Sequence, residues 1–239
     1  MNRITTVIFD MYETLVENGP HLWQATFDVI VADQHLDTTG ERLWLEWRSR
    51  DQEFRSSRIN PCSPFQTYYE AWRECFAVSF QELGLRGDAD AACRKSILDM
   101  SRRRPYSETN EALGLIQQQW RTAILSNADD DYLLPNIRLL EVDFQAVLSS
   151  EEVRSYKPQP ALFQELLRRM GVTPEETVYV GDRQFEDVQG AGGVNMRTIW
   201  INRSGTAPDP KLPKPDFQIT SLLEIPKMLS GGPASKEGT

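Results

Sequence analysis

The chain has 239 residues, a formal net charge of −9 and 40% hydrophobic residues. That length holds one large domain, or a core with a smaller companion, around a sizeable apolar interior. The acidic balance argues against a general nucleic-acid binder, and no apolar run approaches the ~20 residues that span a bilayer.

Residues 3–9 read as a buried strand, with Val7, Ile8 and Phe9 contiguous before a polar loop. The strand ends on Asp10, and Thr14 places a hydroxyl four residues after that carboxylate. This apolar run is short and contains Asp10, so it does not read as a signal peptide. From Pro20 to about Met100 the chain becomes helical, aromatic and charged. Leu43, Trp44 and Trp47, and later Tyr69, Trp72, Cys75, Phe76 and Phe80, recur at spacings of three and four. Pro61 and Pro64 break the block near its middle, and Leu83-Gly84 reads as a helix end. We expect an inserted α-helical cap over 17–103, flanked by the two parts of a core, 1–16 and 104–228.

Pro105 marks the return to the core. A helix over Thr109–Trp120 leads to a strand over Arg121–Ser126. Asp129-Asp130-Asp131 reads as N-terminal capping of the next helix rather than as a metal site. A strand over Phe144–Leu148 and an amphipathic helix over Pro160–Met170, stopped by Gly171, come next. A strand over Thr177–Val180, a helix opening over Asp187–Ala191 and a strand over Arg197–Ile201 follow. Gly190–Gly193 lacks the G-x-G-x-x-G spacing of a nucleotide loop and reads as a helix end. Pro208–Pro215 reads as an extended surface connection. Residues 229–239 read as a disordered tail, small and polar from Gly231 on. Cys62, Cys75 and Cys93 show no metal-ligand spacing and read as reduced thiols of a cytoplasmic protein.

The chemistry-bearing residues fall in four stretches: Asp10 and Thr14; Ser126 and Asn127; Lys157; and Gly181-Asp182 with Asp187. Three of the four stand just past an apolar run. In a parallel sheet with helical crossovers such positions converge at the carboxyl edge of the strands, where ligands bind. A strand-terminal Asp10 serves either as a turn or helix cap, or as a nucleophile that forms a covalent intermediate. Ser126 and the N–H groups beside it can donate to an oxyanion, whereas Asn127 is more often structural. Asp10, Asp182 and Asp187 together make an oxygen donor set suited to Mg²⁺.

In this order and spacing the four stretches resemble the haloacid dehalogenase-like hydrolase superfamily, from about Ile4 to the Leu222 region. The resemblance implies an α/β fold, with a Rossmann-like parallel sheet, helices on both faces and an inserted helical cap. It implies that Asp10 is the nucleophile and that Thr14 orients it. Ser126, with Asn127 beside it, would bind substrate, and Lys157 would offset the anionic charge. The metal site would comprise Asp10, the main-chain carbonyl of Tyr12, Asp182 and Asp187, with Glu186 fitting the spacing less well.

The pattern is a hybrid. Family phosphatases carry a second aspartate two residues after the nucleophile, and here that position is Tyr12. A phenol near pKa ~10 is a poor general base at neutral pH. Tyrosine there resembles the D-x-Y-G-T of the 2-haloacid dehalogenases, whose halide leaving group needs no proton. Trp47–Phe54 resembles the dehalogenase segment carrying an arginine over the site, which selects Arg48; a surface arginine is the plainer reading of the same residue. Ile201–Gly205 also resembles the dehalogenase end of the core. Gly181-Asp182-Arg183, by contrast, has the acidic phosphatase form. Phe163 stands where dehalogenases commonly have tyrosine, and Glu13 replaces the usual glycine.

The two metal-loop carboxylates favour a Mg²⁺-dependent phosphatase acting on a small phosphorylated metabolite. The alternatives are a metal-independent 2-haloacid dehalogenase and a non-catalytic binding protein of the same fold. The expected partner is a small anionic molecule, with no nucleic acid or membrane, and the chain is expected to be a monomer or homodimer.

Overall fold

The computed structural model describes residues 3–60 and 62–230. Six parallel strands form one sheet in the order β3-β2-β1-β4-β5-β6. They are β1 (Thr6–Phe9), β2 (Arg121–Ser126), β3 (Ala146–Ser149), β4 (Thr177–Gly181), β5 (Arg197–Ile201) and β6 (Phe217–Ile219). The order reverses at β1, which lies between β2 and β4. This is the topological switch point where ligands bind in open α/β sheets.

Alternate residues of the central strands face opposite layers. Val7, Phe9, Ile124, Val178 and Val180 join a cluster with Ala112, Leu113 and Ile116 of α5 (Thr109–Gln117) and Ile225 of α10 (Ile225–Ser230). Ile8, Ala123, Leu125 and Tyr179 join a second cluster with Leu162, Phe163, Leu166 and Met170 of α8 (Pro160–Met170). A strand covered on both faces is apolar throughout, which is why β1 shows no alternation in sequence.

Four helices enter between β1 and α5: α1 (Pro20–Asp33), α2 (Gly40–Ser57), α3 (Tyr68–Glu82) and α4 (Ala89–Met100). The first cluster runs on into this cap through Phe27, Leu43, Trp47, Trp72 and Phe76. The chain breaks between α2 and α3 where the prolines stand, although Pro61 itself lies outside the described residues. Thr67 opens α3 with a capping box closed by Glu70. Gly84 beyond the end of α3 has φ +66°, the left-handed value that suits glycine.

Several element bounds differ from the sequence expectation. Helix α5 stops at Gln117, three residues early, and β3 runs two residues later than expected at its start. The helix expected from Asp187 begins as a π-helical turn over Gln184–Gln189 and continues as α9 (Gly190–Gly192). Strand β6 was not expected, because three residues at a sheet edge are too short to show a period. Helix α10 reaches Ser230, and the rest of the expected tail lies outside the described residues. The remaining helices are α6 (Asp130–Ile137) and α7 (Ser150–Val153). Among the described residues no helix is long and apolar enough to cross a membrane.

The acid run opens α6 as expected, with Asp130 and Asp131 in its first turn, but the Asp129 side chain caps a different helix. Asp129 precedes α6 but makes no side-chain bond to it. Its carboxylate reaches across to the first turn of α3 and accepts the Tyr68 N–H at 2.9 Å and the Tyr69 N–H at 2.8 Å. The unpaired N–H groups of a helix start draw a carboxylate from any element that can reach them, and proximity in the fold decides which one does.

Candidate active site

The carboxyl ends of β1, β2 and β4 meet under the cap. Asp10 follows β1, and its N–H donates to the Val180 carbonyl at 2.9 Å, which ties the first residue of the loop to β4. Ser126 ends β2, and its Oγ donates to Asp10 Oδ1 at 3.1 Å. Lys157, from the segment between α7 and α8, reaches the same oxygen at 2.7 Å. Its Nζ also contacts Asp187 Oδ1 at 2.6 Å and the Tyr179 phenol at 2.9 Å. Asp10 Oδ2 accepts no hydrogen bond among the described residues.

One carboxylate oxygen from each of Asp10, Asp182 and Asp187 lies within 4.8 Å of the other two, a donor set that could hold a metal ion. The π-helical turn swings Asp187 back beneath the end of β4, where the Arg183 N–H holds its Oδ2 at 2.9 Å. Gly181 makes this approach possible, because a Cβ there would stand 2.3 Å from Asp187 Cγ. The indole N–H of Trp200 on β5 donates to the Asp182 carbonyl at 2.8 Å and fixes the loop from its other side.

Electrostatics follow from this crowding. Burial pushes Asp187 up to about 6; Lys157 pulls against that shift and Asp10 adds to it. Burial, then Asp187 and Asp10, push Asp182 well above the usual carboxylate range. Burial works against the Lys157 ammonium, yet Asp10 and Asp187 more than offset it and hold Lys157 well above its ordinary value.

The other sequence candidates fall into place differently. Asn127 is spent on the backbone of Lys157, accepting its N–H at 2.7 Å and donating to its carbonyl at 3.1 Å. Thr14 is buried, but its hydroxyl has no hydrogen-bond partner among the described residues, so the expected bond back to the Asp10 loop is not formed. The Tyr12 side chain lines the cavity but is already engaged: its phenol donates to the Tyr132 carbonyl at 3.2 Å and accepts from Asn136 Nδ2 at 2.9 Å. Burial lifts that phenol well above 10, Asn136 lowers it and Asp10 raises it further.

A cavity of about 370 Å³ opens above Asp10. Its aromatic wall includes Trp23, Trp47, Trp72 and Tyr132. Trp23 stacks on Trp47 at 5.2 Å, and Trp72 stacks on Tyr132 at 5.7 Å. Arg48 lines the cavity but is exposed, with its guanidinium 5.4 Å from the Trp44 ring and no carboxylate within 4.0 Å among the described residues. Sequence reasoning passed over Arg58, which also lines the cavity and is only 6% exposed. Its guanidinium lies 4.5 Å from the Tyr156 ring, bonds the Tyr68 phenol and pairs with Glu186 at 3.1 Å. Two buried donors on this wall, Arg58 Nε and Trp47 Nε1, have no partner among the described residues.

Comparison with known proteins agrees with the geometry. A family model described as haloacid dehalogenase-like hydrolase matches residues 4–195. The (S)-2-haloacid dehalogenase 4A of Burkholderia cepacia is 25% identical over 237 residues, 96% of each chain. The human N-acylneuraminate-9-phosphatase is 32% identical over 117 residues, 48% of this chain and 47% of that one. The structure of L-2-haloacid dehalogenase from Xanthobacter autotrophicus, with chloropropionic acid covalently bound, superposes with a TM-score of 0.77. That match has 25% identity and covers 96% of this chain and 100% of the other. The chain belongs to the haloacid dehalogenase-like hydrolases.

Proposed function

We propose that this hydrolase is a Mg²⁺-dependent phosphatase of a small phosphorylated metabolite, with Asp10 as its nucleophile. The observation that carries this reading is the cluster of Asp10, Asp182 and Asp187 within 4.8 Å. Three carboxylates there face one ammonium in contact, that of Lys157 on Asp10 and Asp187. The next cation is Arg183, 3.6 Å from Asp182 and with 61% of its side chain exposed. Hard oxygen donors, mutual repulsion and an excess of negative charge fit a divalent ion of the Mg²⁺ kind. Bound there, the ion would offset the repulsion between Asp10 and an anionic phosphate and would polarise the phosphoryl group.

The protein's own groups have separate tasks. Lys157 and Ser126 both engage Oδ1 of Asp10, which leaves Oδ2 as the attacking atom. Lys157 holds Asp10 in its orientation through Oδ1, and the Ser126 hydroxyl can turn to a phosphoryl oxygen as charge develops.

A second reading, a metal-independent 2-haloacid dehalogenase, is favoured by Tyr12 and by relatives of that activity that align over 96% of the chain. One experiment separates the two. Phosphate release from a generic ester and chloride release from 2-chloropropionate are measured with Mg²⁺ and with chelator, alongside Asp10→Asn. We expect phosphate release that needs Mg²⁺ and is lost in Asp10→Asn. Chloride release that survives chelator would favour the dehalogenase, and full activity in Asp10→Asn would exclude both readings.

A further inference from the structure

The cavity contains no acid free to protonate a leaving group. Tyr12, two residues past Asp10, has its phenol tied to the Tyr132 carbonyl and Asn136. Asp51 holds Trp72 Nε1 at 2.9 Å and Arg55 at 2.6 Å. Glu186 is paired with Arg58, and Glu13 accepts the Asn18 N–H inside its own loop. Asp182 and Asp187 belong to the carboxylate cluster itself. These are all the acidic side chains that line the cavity beside Asp10 among the described residues. The opposite wall is aromatic: Trp23 packs against Trp47 and, edge-on, against Trp72 at 5.3 Å.

We infer that the substrate is an aryl phosphate, whose planar body lies against the Trp23–Trp47–Trp72 wall and whose oxygen departs as its own anion. This rests on the phosphatase reading and names its substrate class. In the first step the Asp10 Oδ2–P bond forms while the P–O(aryl) bond breaks. The aryloxide leaves with the bonding pair and takes its proton from water. In the second step water attacks phosphorus, the bond to Asp10 breaks, the carboxylate is regenerated and the proton passes to solvent. No side chain stands ready as base for that water, so the phosphorylated Asp10 accumulates. Phenols, near pKa ~10, leave without help, whereas aliphatic alcohols, about as weakly acidic as water at ~16, do not. An acid in place contributes ~10²–10⁴-fold, and a substrate that needs one forfeits that factor here.

The test compares 4-nitrophenyl, phenyl and benzyl phosphate with the wild-type protein and Mg²⁺. Benzyl phosphate keeps the aromatic body and changes only the leaving group. We expect kcat/KM to fall ~10²–10⁴-fold from phenyl to benzyl. We also expect a burst of one 4-nitrophenolate per active site before steady state. Benzyl phosphate within about tenfold of phenyl, or a linear time course from the first turnover, overturns the inference while leaving the phosphatase reading intact. Phosphate release from none of the three overturns that reading, and the substrate class falls with it.

Discussion

Arg58 ends a stripe that α2 presents to the interior. Leu43, Trp47, Asp51 and Phe54 are buried along one face, and Arg58 follows Phe54 by one further turn. Arg48, one residue past Trp47, falls off that buried stripe and is exposed at the cavity's edge. We therefore predict that Arg58→Ala damages the protein more than Arg48→Ala does. The first leaves Glu186, only 16% exposed at its side chain, without its partner, and costs ~2–4 kcal/mol in thermal or denaturant unfolding. It also removes the buried cation facing the cavity, so kcat/KM falls as well. Arg48→Ala changes stability by about 0.5 kcal/mol or less. Arg58→Lys does not restore the loss, because an ammonium lacks the planar fork that reaches Tyr68 through Nη1 and Glu186 through Nη2 while lying over the Tyr156 ring. Equal effects of the two alanine variants would overturn this ordering. The signal for Arg58 was present in the sequence as stripe spacing. Reading the segment by resemblance to a motif selected Arg48, an exposed residue that lines the same cavity. The unpartnered Thr14 hydroxyl had no such signal, since spacing fixes where a residue stands and not which bonds its side chain finds.

Among the elements, β4 and the turn after it carry the most demanding geometry. Five of the six strands, β1 to β5, were legible as apolar runs, because burial within the sheet leaves that mark. The π-helical turn was not legible: one extra residue in a helical turn leaves no compositional trace, yet it brings Asp187 under Gly181. Gly181→Ala tests that arrangement. The added methyl would meet Asp187 Cγ at 2.3 Å, so either the strand end or the carboxylate must move. We expect a loss of ~1–3 kcal/mol in unfolding free energy from overpacking. On the proposed Mg²⁺ site, displacing Asp187 also raises the Mg²⁺ concentration needed for activity, by about tenfold or more if the loss in binding exceeds ~1.4 kcal/mol. A Mg²⁺ titration of activity and of melting temperature reads both effects. Unchanged Mg²⁺ dependence would mean that Asp187 does not hold the ion.

At the scale of the whole molecule, the cap and the core are joined through Asp129. It follows β2 by three residues, so it belongs to the core, while both its oxygens hold the first turn of α3 in the cap. Composition marked the helical block, but the partner of this carboxylate depends on how the block sits over the sheet, which local pattern does not encode. Burial pushes Asp129 up to about 7, although the Tyr68 and Tyr69 N–H groups pull it down. In the unfolded chain it titrates near ~4. Between those values the folded protein binds the proton that the unfolded chain has released, so stability falls as pH rises through the window and is level above about 7. The slope is at most ~1.4 kcal/mol per pH unit, or ~4 kcal/mol across the window. Asp129→Asn removes this titration while keeping one acceptor for α3. Its constant cost, ~1–2 kcal/mol for the lost oxygen, is independent of pH. The melting temperature of the variant relative to wild type should therefore climb from pH ~4 to ~7 and then stay flat. Titrating groups that do not interact with Asp129 are common to both proteins and cancel in that difference. A difference that stays flat would mean that the two N–H bonds balance burial, and one that falls with pH would mean that they outweigh it. Asp129 would then be an ordinary ionised cap that strengthens the hold of core on cap as pH rises.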